Sequence, residues 1–312
     1  NITELRGVFI EVIMRRSYDS LPSSHVIGYV KPPDKEEYPK LANVPGTVVG
    51  KIGIEKTFDK KLQGKFGVKK EEVNAHGRVV KEISRVNGIP GEDIKVSISK
   101  SLQEFCYNRL EDNSGAIVVL DVNNGEILSM VSKPSFNSND FIAAMSQDKW
   151  NKISNNEFNP MFNRASLGTY PPGSIFKLVQ SLIGLQEKVV SPNSSFPCTK
   201  SMVGCHNHPK AKSIAEAIKY SCNPYYYYLM RKIIHQKENK NVYMDAAIGL
   251  EKWVKYMHRF NLGKKIETDI PGLRSGLIPD VKFYDKWYGK NKWKFSTIRS
   301  IAIGQGEVKL TP

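Results

Sequence analysis

No uninterrupted apolar run in this chain approaches the ~18 residues that a membrane-crossing helix requires, and the longest candidates, such as Ala116–Leu120, have the length of a strand. Cysteine is scarce: four residues among 312, at positions 106, 198, 205 and 222. That is too few, and too unevenly spaced, for the disulfide framework of a core-poor secreted domain. Internal repeats and low-complexity tracts are absent, which removes solenoids and collagen-like rods. No helix-turn-helix, zinc-finger or RNA-binding signature accompanies the basic residues, so nucleic acid is not expected as a partner. The chain opens without an initiator Met, a basic leader or a signal-peptide apolar segment, so any anchor or export signal of the parent protein is expected upstream of Asn1.

What is present is ordinary globular material. Hydrophobic residues at 40% and charged residues at 25% supply enough apolar surface for a core and exclude wholesale disorder. The length suits two domains at ~150 residues each. The net charge of +15 gives a surface that attracts polyanions or an anionic membrane face, though a plain solvated face accounts for it equally well.

Residues 1–100 are basic and Gly/Pro-punctuated, with short alternating stretches at Glu11–Met14 and His25–Val30 that read as strands of a β-rich accessory domain. A second domain is expected over 101–312, after the turn at Pro90-Gly91-Glu92-Asp93, the alternation of Lys95–Ser99 and the helical spacing of Leu102–Leu110. Gly115–Val122 and Glu126–Ser132 flank Asn123-Asn124-Gly125, a hairpin signal expected to lie in the main sheet. Helices are predicted at Ser174–Lys188, Ser213–Tyr220, Pro224–His235 and Asp245–Phe260; Asn151–Pro160 and residues 270–297 read as loops, and Ser300–Ile303 as a short strand or helix start. Periodicity alone supports mixed α and β.

One constellation carries chemistry. Ser174 and Lys177 lie three apart at the start of a predicted helix, so the amine reaches the hydroxyl. A serine needs a base to become a nucleophile, and a desolvated lysine with a lowered pKa supplies one. Ser221 and Asn223 interrupt two helices in the same half of the chain. As bare strings these patterns are weak: serine-x-x-lysine recurs at Ser97–Lys100 and Ser146–Lys149, and serine-x-asparagine at Ser135–Asn137, Ser154–Asn156 and Ser191–Asn193. Such copies are usually solvated pairs or helix caps. Only Ser174 follows Pro171-Pro172-Gly173 and opens an apolar helix.

In that context the chain resembles the transpeptidase part of a class B penicillin-binding protein. The residues that carry the resemblance are the hairpin Gly115–Met130, Lys133-Pro134-Ser135-Phe136-Asn137, Asn163-Arg164-Ala165, Tyr170–Lys177, Ser221-Cys222-Asn223 and Gly304-Gln305-Gly306-Glu307. Upstream, Gly53–Phe58, Leu62-Gln63-Gly64 and Gly77-Arg78 resemble the dimerisation-type pedestal of the class. The resemblance implies an α+β fold, an antiparallel sheet with a helical cluster behind a β-rich pedestal. It also implies D,D-transpeptidation of peptidoglycan stem peptides, with β-lactams as substrate mimics. By position, Ser174 would be the nucleophile, Lys177 the base, Ser221 the proton relay and Asn223 the substrate-orienting amide, with Gly304, Gln305 and Gly306 binding substrate. The expected setting is the periplasmic side of the inner membrane, beside a membrane glycosyltransferase and shape-elongation proteins. The family's third motif, Lys-Thr-Gly, does not occur; the chain reads as a piece of a longer protein and is expected to lack one wall of the site. Rival expectations are a hydrolytic D,D-carboxypeptidase or β-lactamase of the same fold, and a non-catalytic wall-machinery scaffold.

Cys198, Cys205, His206, His208 and Cys222 cluster in sequence at spacings that suit tetrahedral zinc, a disulfide or buried free thiols. The insert Cys198–Pro209 makes the chain more similar to the elongation-type transpeptidase than to the septal one. That resemblance implies a structural zinc on Cys198, Cys205, His208 and Cys222, with His206 as the alternate ligand. Cys106 is expected as a core thiol. The run Tyr225–Tyr228, a possible stacking platform, reads more simply as core, as do Trp253, Tyr256 and Phe260.

Overall fold

The structure, a computed structural model, describes residues 15–312 apart from 37, 40, 42, 43, 45 and 144; the strand expected at Glu11–Met14 lies outside the described residues. The fold is α+β with antiparallel strands, divided into two units. The first runs to Ser166 and includes Thr268–Gly272; the second comprises Leu167–Glu267 and Leu273–Pro312. The expected boundary near residue 100 falls inside the first unit.

In the first unit, α1 (Ser24–Ile27), β1 (Val30–Lys31), β2 (Val49–Gly50), α2 (Gly53–Thr57) and α3 (Asp59–Gln63) precede a long hairpin, β3 (Val68–Val73) and β4 (Val79–Val86). β1 pairs with β2, and β3 with β4. His25–Val30 is thus not a strand. Its first half is a helical turn closed by Gly28, whose φ of +91° and close approach to the Ile52 carbonyl leave no room for a Cβ. Val68, Val80, Ile83 and Val86 stay exposed along the β3–β4 hairpin.

Helix α4 (Lys100–Arg109) packs on the second hairpin, β5 (Gly115–Leu120) and β6 (Ile127–Lys133), which is a two-stranded sheet among the described residues. Lys95–Ser99 forms no strand but is fastened to β6, Ser97 Oγ donating to the Ile127 carbonyl at 2.8 Å and the Ser99 N–H to Leu128 at 2.9 Å. Cys106 is buried on α4. Gln103, fully buried, joins α4 to both neighbours: its Nε2 donates to the Met130 and Pro22 carbonyls, and its Oε1 accepts from Met130 N–H and Ser129 Oγ. Gln103→Ala leaves these groups unpaired, each at a cost of ~1–3 kcal/mol. A loss of about 3 kcal/mol or more in chemical denaturation is the expected result, and a change within 0.5 kcal/mol, roughly that of a surface substitution, would refute it.

The remaining strings of the Ser-x-x-Lys type fall to bland roles. Lys100 pairs with Asp19 at 2.6 Å rather than with Ser97. Ser146 caps α5 (Gln147–Ser154), which occupies part of the loop expected at Asn151–Pro160, and Lys149 pairs with Asp140.

The second unit is helical: α6 (Phe176–Gln186), α7 (Ile214–Lys219), α8 (Asn223–Ile234), α9 (Val242–Arg259), α10 (Val281–Tyr288) and α11 (Phe295–Ile298). Its core is built around α8, which is buried on most sides against Phe176 and Ile183 of α6 and Leu250, Trp253 and Met257 of α9. Tyr225 and Tyr226 are wholly buried with their hydroxyls satisfied by the Ser194 carbonyl and Ser181, so the tyrosine run is packing. Phe260, expected in the core beside Trp253, is exposed. The loop expected over 270–297 contains α10 and α11. Asp280 caps α10 by accepting from the Phe283 N–H at 2.7 Å, and buried Tyr284 holds it to Glu307. Arg299–Ile303 is a 3-10 turn. No helix among the described residues is long and apolar enough to cross a membrane.

Candidate active site

Pro172 and Gly173, the latter at φ +62°, turn the chain into a short 3-10 segment, Gly173–Ile175, that runs directly into α6. Ser174 therefore sits at the mouth of the helix and Lys177 one turn inside it. The face of α6 turned to the core carries Phe176, Gln180 and Ile183, and it takes Lys177 with it, leaving that side chain 1% exposed.

The second segment arrives by a helix ending. α7 closes in a Schellman motif, the Cys222 N–H bonding to the Ala217 carbonyl and the Ser221 N–H to Ile218. The motif demands a left-handed residue, and Ser221 adopts φ +47° in the place where glycine is usual. α8 restarts at once, with Asn223 and Pro224 in its first turn. The break aims the Ser221 hydroxyl and the Asn223 amide at Lys177.

The result is a closed polar cluster. Lys177 Nζ lies 3.1 Å from Ser174 Oγ, 2.8 Å from both Ser221 Oγ and the Ser221 carbonyl, and 2.7 Å from Asn223 Oδ1, while Ser221 Oγ donates to Ser174 Oγ at 2.9 Å. The amine also faces the Tyr226 ring, 5.5 Å from its centroid. Burial strips water from the ammonium and pushes its pKa down to about 8, with charge at Cys205 and Cys222 pulling partly the other way. A neutral amine here donates to the Ser221 carbonyl and Asn223 Oδ1 and keeps a lone pair for the proton of Ser174.

Gly304 presses on the turn that carries the serine. Its carbonyl accepts from the Gly173 N–H at 2.8 Å, and at φ +67° a Cβ on it would stand 2.4 Å from the Gly173 oxygen. Gln305 and Gly306 are exposed on the following turn. Two contributors escape a motif reading. The Gly204 carbonyl accepts from Asn223 Nδ2 at 2.8 Å and so ties the Cys198–Pro209 insert to the site. Tyr226 sits under Lys177, and its only sequence signal is its place three residues after Asn223.

Cys198, Cys205, His208 and Cys222 converge, with ligand atoms all within 4.8 Å of one another. His208 Nε2 is 3.3 Å from Cys205 Sγ and 3.6 Å from Cys198 Sγ, and Cys222 Sγ is 3.6 Å from Cys198 Sγ. Zn–S bonds of ~2.3 Å and Zn–N bonds of ~2.0 Å place neighbouring ligand atoms ~3.5–3.8 Å apart, so this donor set and spacing fit a tetrahedral zinc. His208 Nδ1 donates to the Pro209 carbonyl at 2.7 Å, which turns the Nε2 lone pair toward the sulfurs. All four cysteines are free thiols. His206 lies outside the cluster, its ring 5.1 Å from that of His208.

The domain family described as penicillin binding protein transpeptidase domain matches residues 115–312, and that described as penicillin-binding protein dimerisation domain matches residues 1–96. The peptidoglycan D,D-transpeptidase MrdA of Acinetobacter baumannii is 31% identical over 98% of this chain and 45% of its own length. MrdA of Escherichia coli K12 is 28% identical over 98% of this chain and 49% of its own. The penicillin-binding protein PBP2 in a complex with MreC from Helicobacter pylori superimposes with a TM-score of 0.81 at 30% identity, covering 100% of this chain and 57% of that one. The chain spans about half the length of the curated relatives it matches.

Proposed function

The chain belongs to the penicillin-binding protein transpeptidase family, and from that premise we propose that the whole protein crosslinks peptidoglycan stem peptides through an acyl-enzyme on Ser174. The observation that carries this reading is the buried Lys177 amine, within hydrogen-bond reach of both Ser174 Oγ and Ser221 Oγ.

Lys177, neutral, takes the Ser174 proton as Oγ attacks the carbonyl of the penultimate D-alanine. Collapse of the tetrahedral intermediate breaks the C–N bond, and the proton passes from Lys177 through Ser221 Oγ to the departing D-alanine amine. Asn223 holds the substrate amide and the lysine in register. The amine of a second stem peptide then attacks the ester, forming the crosslink and returning the proton to Ser174. Backbone N–H groups at the developing oxyanion, that of Ser174 among them, supply the larger electrostatic contribution. Gly304, Gln305 and Gly306 border the substrate. β-Lactams acylate the same oxygen.

Cys198, Cys205, His208 and Cys222 would hold a structural zinc, whose chemistry is to fix thiolates and imidazole in place. Cys222 lies between Ser221 and Asn223, so anchoring it steadies both. The pedestal (1–100) and transpeptidase region (101–312) would act in cell elongation, on the periplasmic side of the inner membrane with an anchor outside this chain. The complex of the Helicobacter pylori relative with MreC supports shape-machinery partners, and a membrane glycosyltransferase belongs to the same expectation.

Intact-mass measurement after incubation with a penicillin tests the reading. One adduct per chain is expected, absent in Ser174→Ala. No adduct on a folded chain would mean that acylation requires the Lys-Thr-Gly strand or that the protein is a non-catalytic scaffold, and rapid release of the adduct by water would favour a hydrolytic enzyme.

A further inference from the structure

The second unit carries an open pocket of about 260 Å3, lined in part by Met202, Gly204, Tyr227, Arg299, Ser300 and Gln305. One of its walls is bonded to the acylation site and two others neighbour it along the chain. Gly204 receives the Asn223 amide, Tyr227 stands one turn beyond Asn223 on α8, and Gln305 follows the glycine whose carbonyl holds Gly173. None of Ser174, Lys177, Ser221 or Asn223 lines it, so a group bound there leaves the cluster in place.

The lining is of mixed character, as in small-ligand sites: an apolar body from Met202, Tyr227 and Ile303, a few polar groups, and a single charge, Arg299. Arg299, exposed at the rim of the pocket and at the start of the 3-10 turn Arg299–Ile303, takes part in none of the ion pairs among the described residues. A planar fork of donors beside apolar walls matches a carboxylate, which it grips through two parallel hydrogen bonds.

We propose that this cavity is a carboxylate subsite that selects anionic peptides: Arg299 receives a side-chain carboxylate of the acyl-donor peptide upstream of the scissile bond, while Tyr227 and Met202 pack on the adjoining methylenes. The inference rests on the transpeptidase reading for the identity of the peptide, and makes Arg299 a specificity residue rather than a catalytic one.

Calorimetric titration of Ser174→Ala, which cannot acylate, tests it. The probes are two short peptides ending in D-Ala-D-Ala, one with a side-chain carboxylate and one with a carboxamide in its place. The carboxylate peptide is expected to bind about five- to tenfold more tightly. Adding Arg299→Gln should bring the two within twofold, and Arg299→Lys should restore part of the difference. Equal affinity for the two peptides, no binding of either, or a preference that survives Arg299→Gln would overturn the proposal. The penicillin adduct reports independently on the parent reading: a charge preference without an adduct keeps the subsite but not acylation by this chain, whereas an adduct without a preference does the reverse.

Discussion

Replacing Lys177 by methionine, which nearly preserves its volume, is expected to slow penicillin acylation of Ser174 about a thousandfold, within the range of ~10²–10⁴ that a positioned general base supplies. Lys177→Arg separates base from charge. A guanidinium keeps the positive charge beside Ser174 but holds its proton at every accessible pH, so it should be as slow as methionine. If arginine retained most of the rate, the amine would be acting as a fixed cation. The pH profile gives the same distinction in the unmodified chain. With the Lys177 pKa lowered by burial to about 8, about a tenth of the amine is neutral at pH 7, against roughly one part in three thousand for an ordinary lysine. Because the neutral form is the base, acylation should rise about tenfold per pH unit from 6 to 7 and level off above 8 to 9. A rate that is flat from pH 6, or still climbing at 10, would contradict the assignment.

The other large effect concerns the thiol–imidazole cluster. Purified chain is expected to carry about one zinc, and His208→Ala or a Cys198→Ala/Cys205→Ala pair should reduce this below a tenth. Binding energy that a ligand contributes only to the native state disappears with it, so thermal unfolding should fall by about 5–10 °C. Acylation should also drop by about tenfold, because the Gly204 carbonyl that restrains Asn223 lies on the insert between Cys198 and His208. Metal analysis with peptide mapping decides the matter. A zinc-free protein with Cys198 and Cys205 in a disulfide would end the zinc assignment.

That Ser174, Lys177, Ser221 and Asn223 come together was legible because they sit at local backbone events: Ser174 and Lys177 at the helix start after the Pro-Pro-Gly turn, Ser221 and Asn223 at a break between two helical patterns. The cysteines and the two histidines were legible as a cluster from their types and spacing, and the choice of His208 over His206 came from the family resemblance. Gly204 was not, because its part is played by a backbone carbonyl, which any residue carries. Arg299 was hidden for a related reason: one arginine among 46 basic residues is marked only by its place in the lining of the pocket. The errors of fold follow the same division. α10 was missed because Pro and Gly crowd its flanks, although Asp280 supplies a sound cap. The turn at Ser24–Ile27 was misread because Val26, Ile27 and Val30 suit a strand until Gly28 redirects the chain. The hairpin β5–β6 was plain from Asn123-Asn124-Gly125. Its tie through Gln103 to Pro22, which places it in a unit with the upstream segment, has no local signal.

Ser221 stands in a left-handed conformation that costs a non-glycine residue about 1 kcal/mol. Glycine at that position would relax the backbone and complete the Schellman ending of α7 more comfortably, but it carries no hydroxyl. In the proposed mechanism that hydroxyl relays a proton, so chemistry opposes the drift to glycine that stability favours. A lineage that had abandoned crosslinking and kept the fold as a scaffold would gain by exchanging this serine for glycine, so its retention across a set of descendants would serve as a genetic record of continued catalysis.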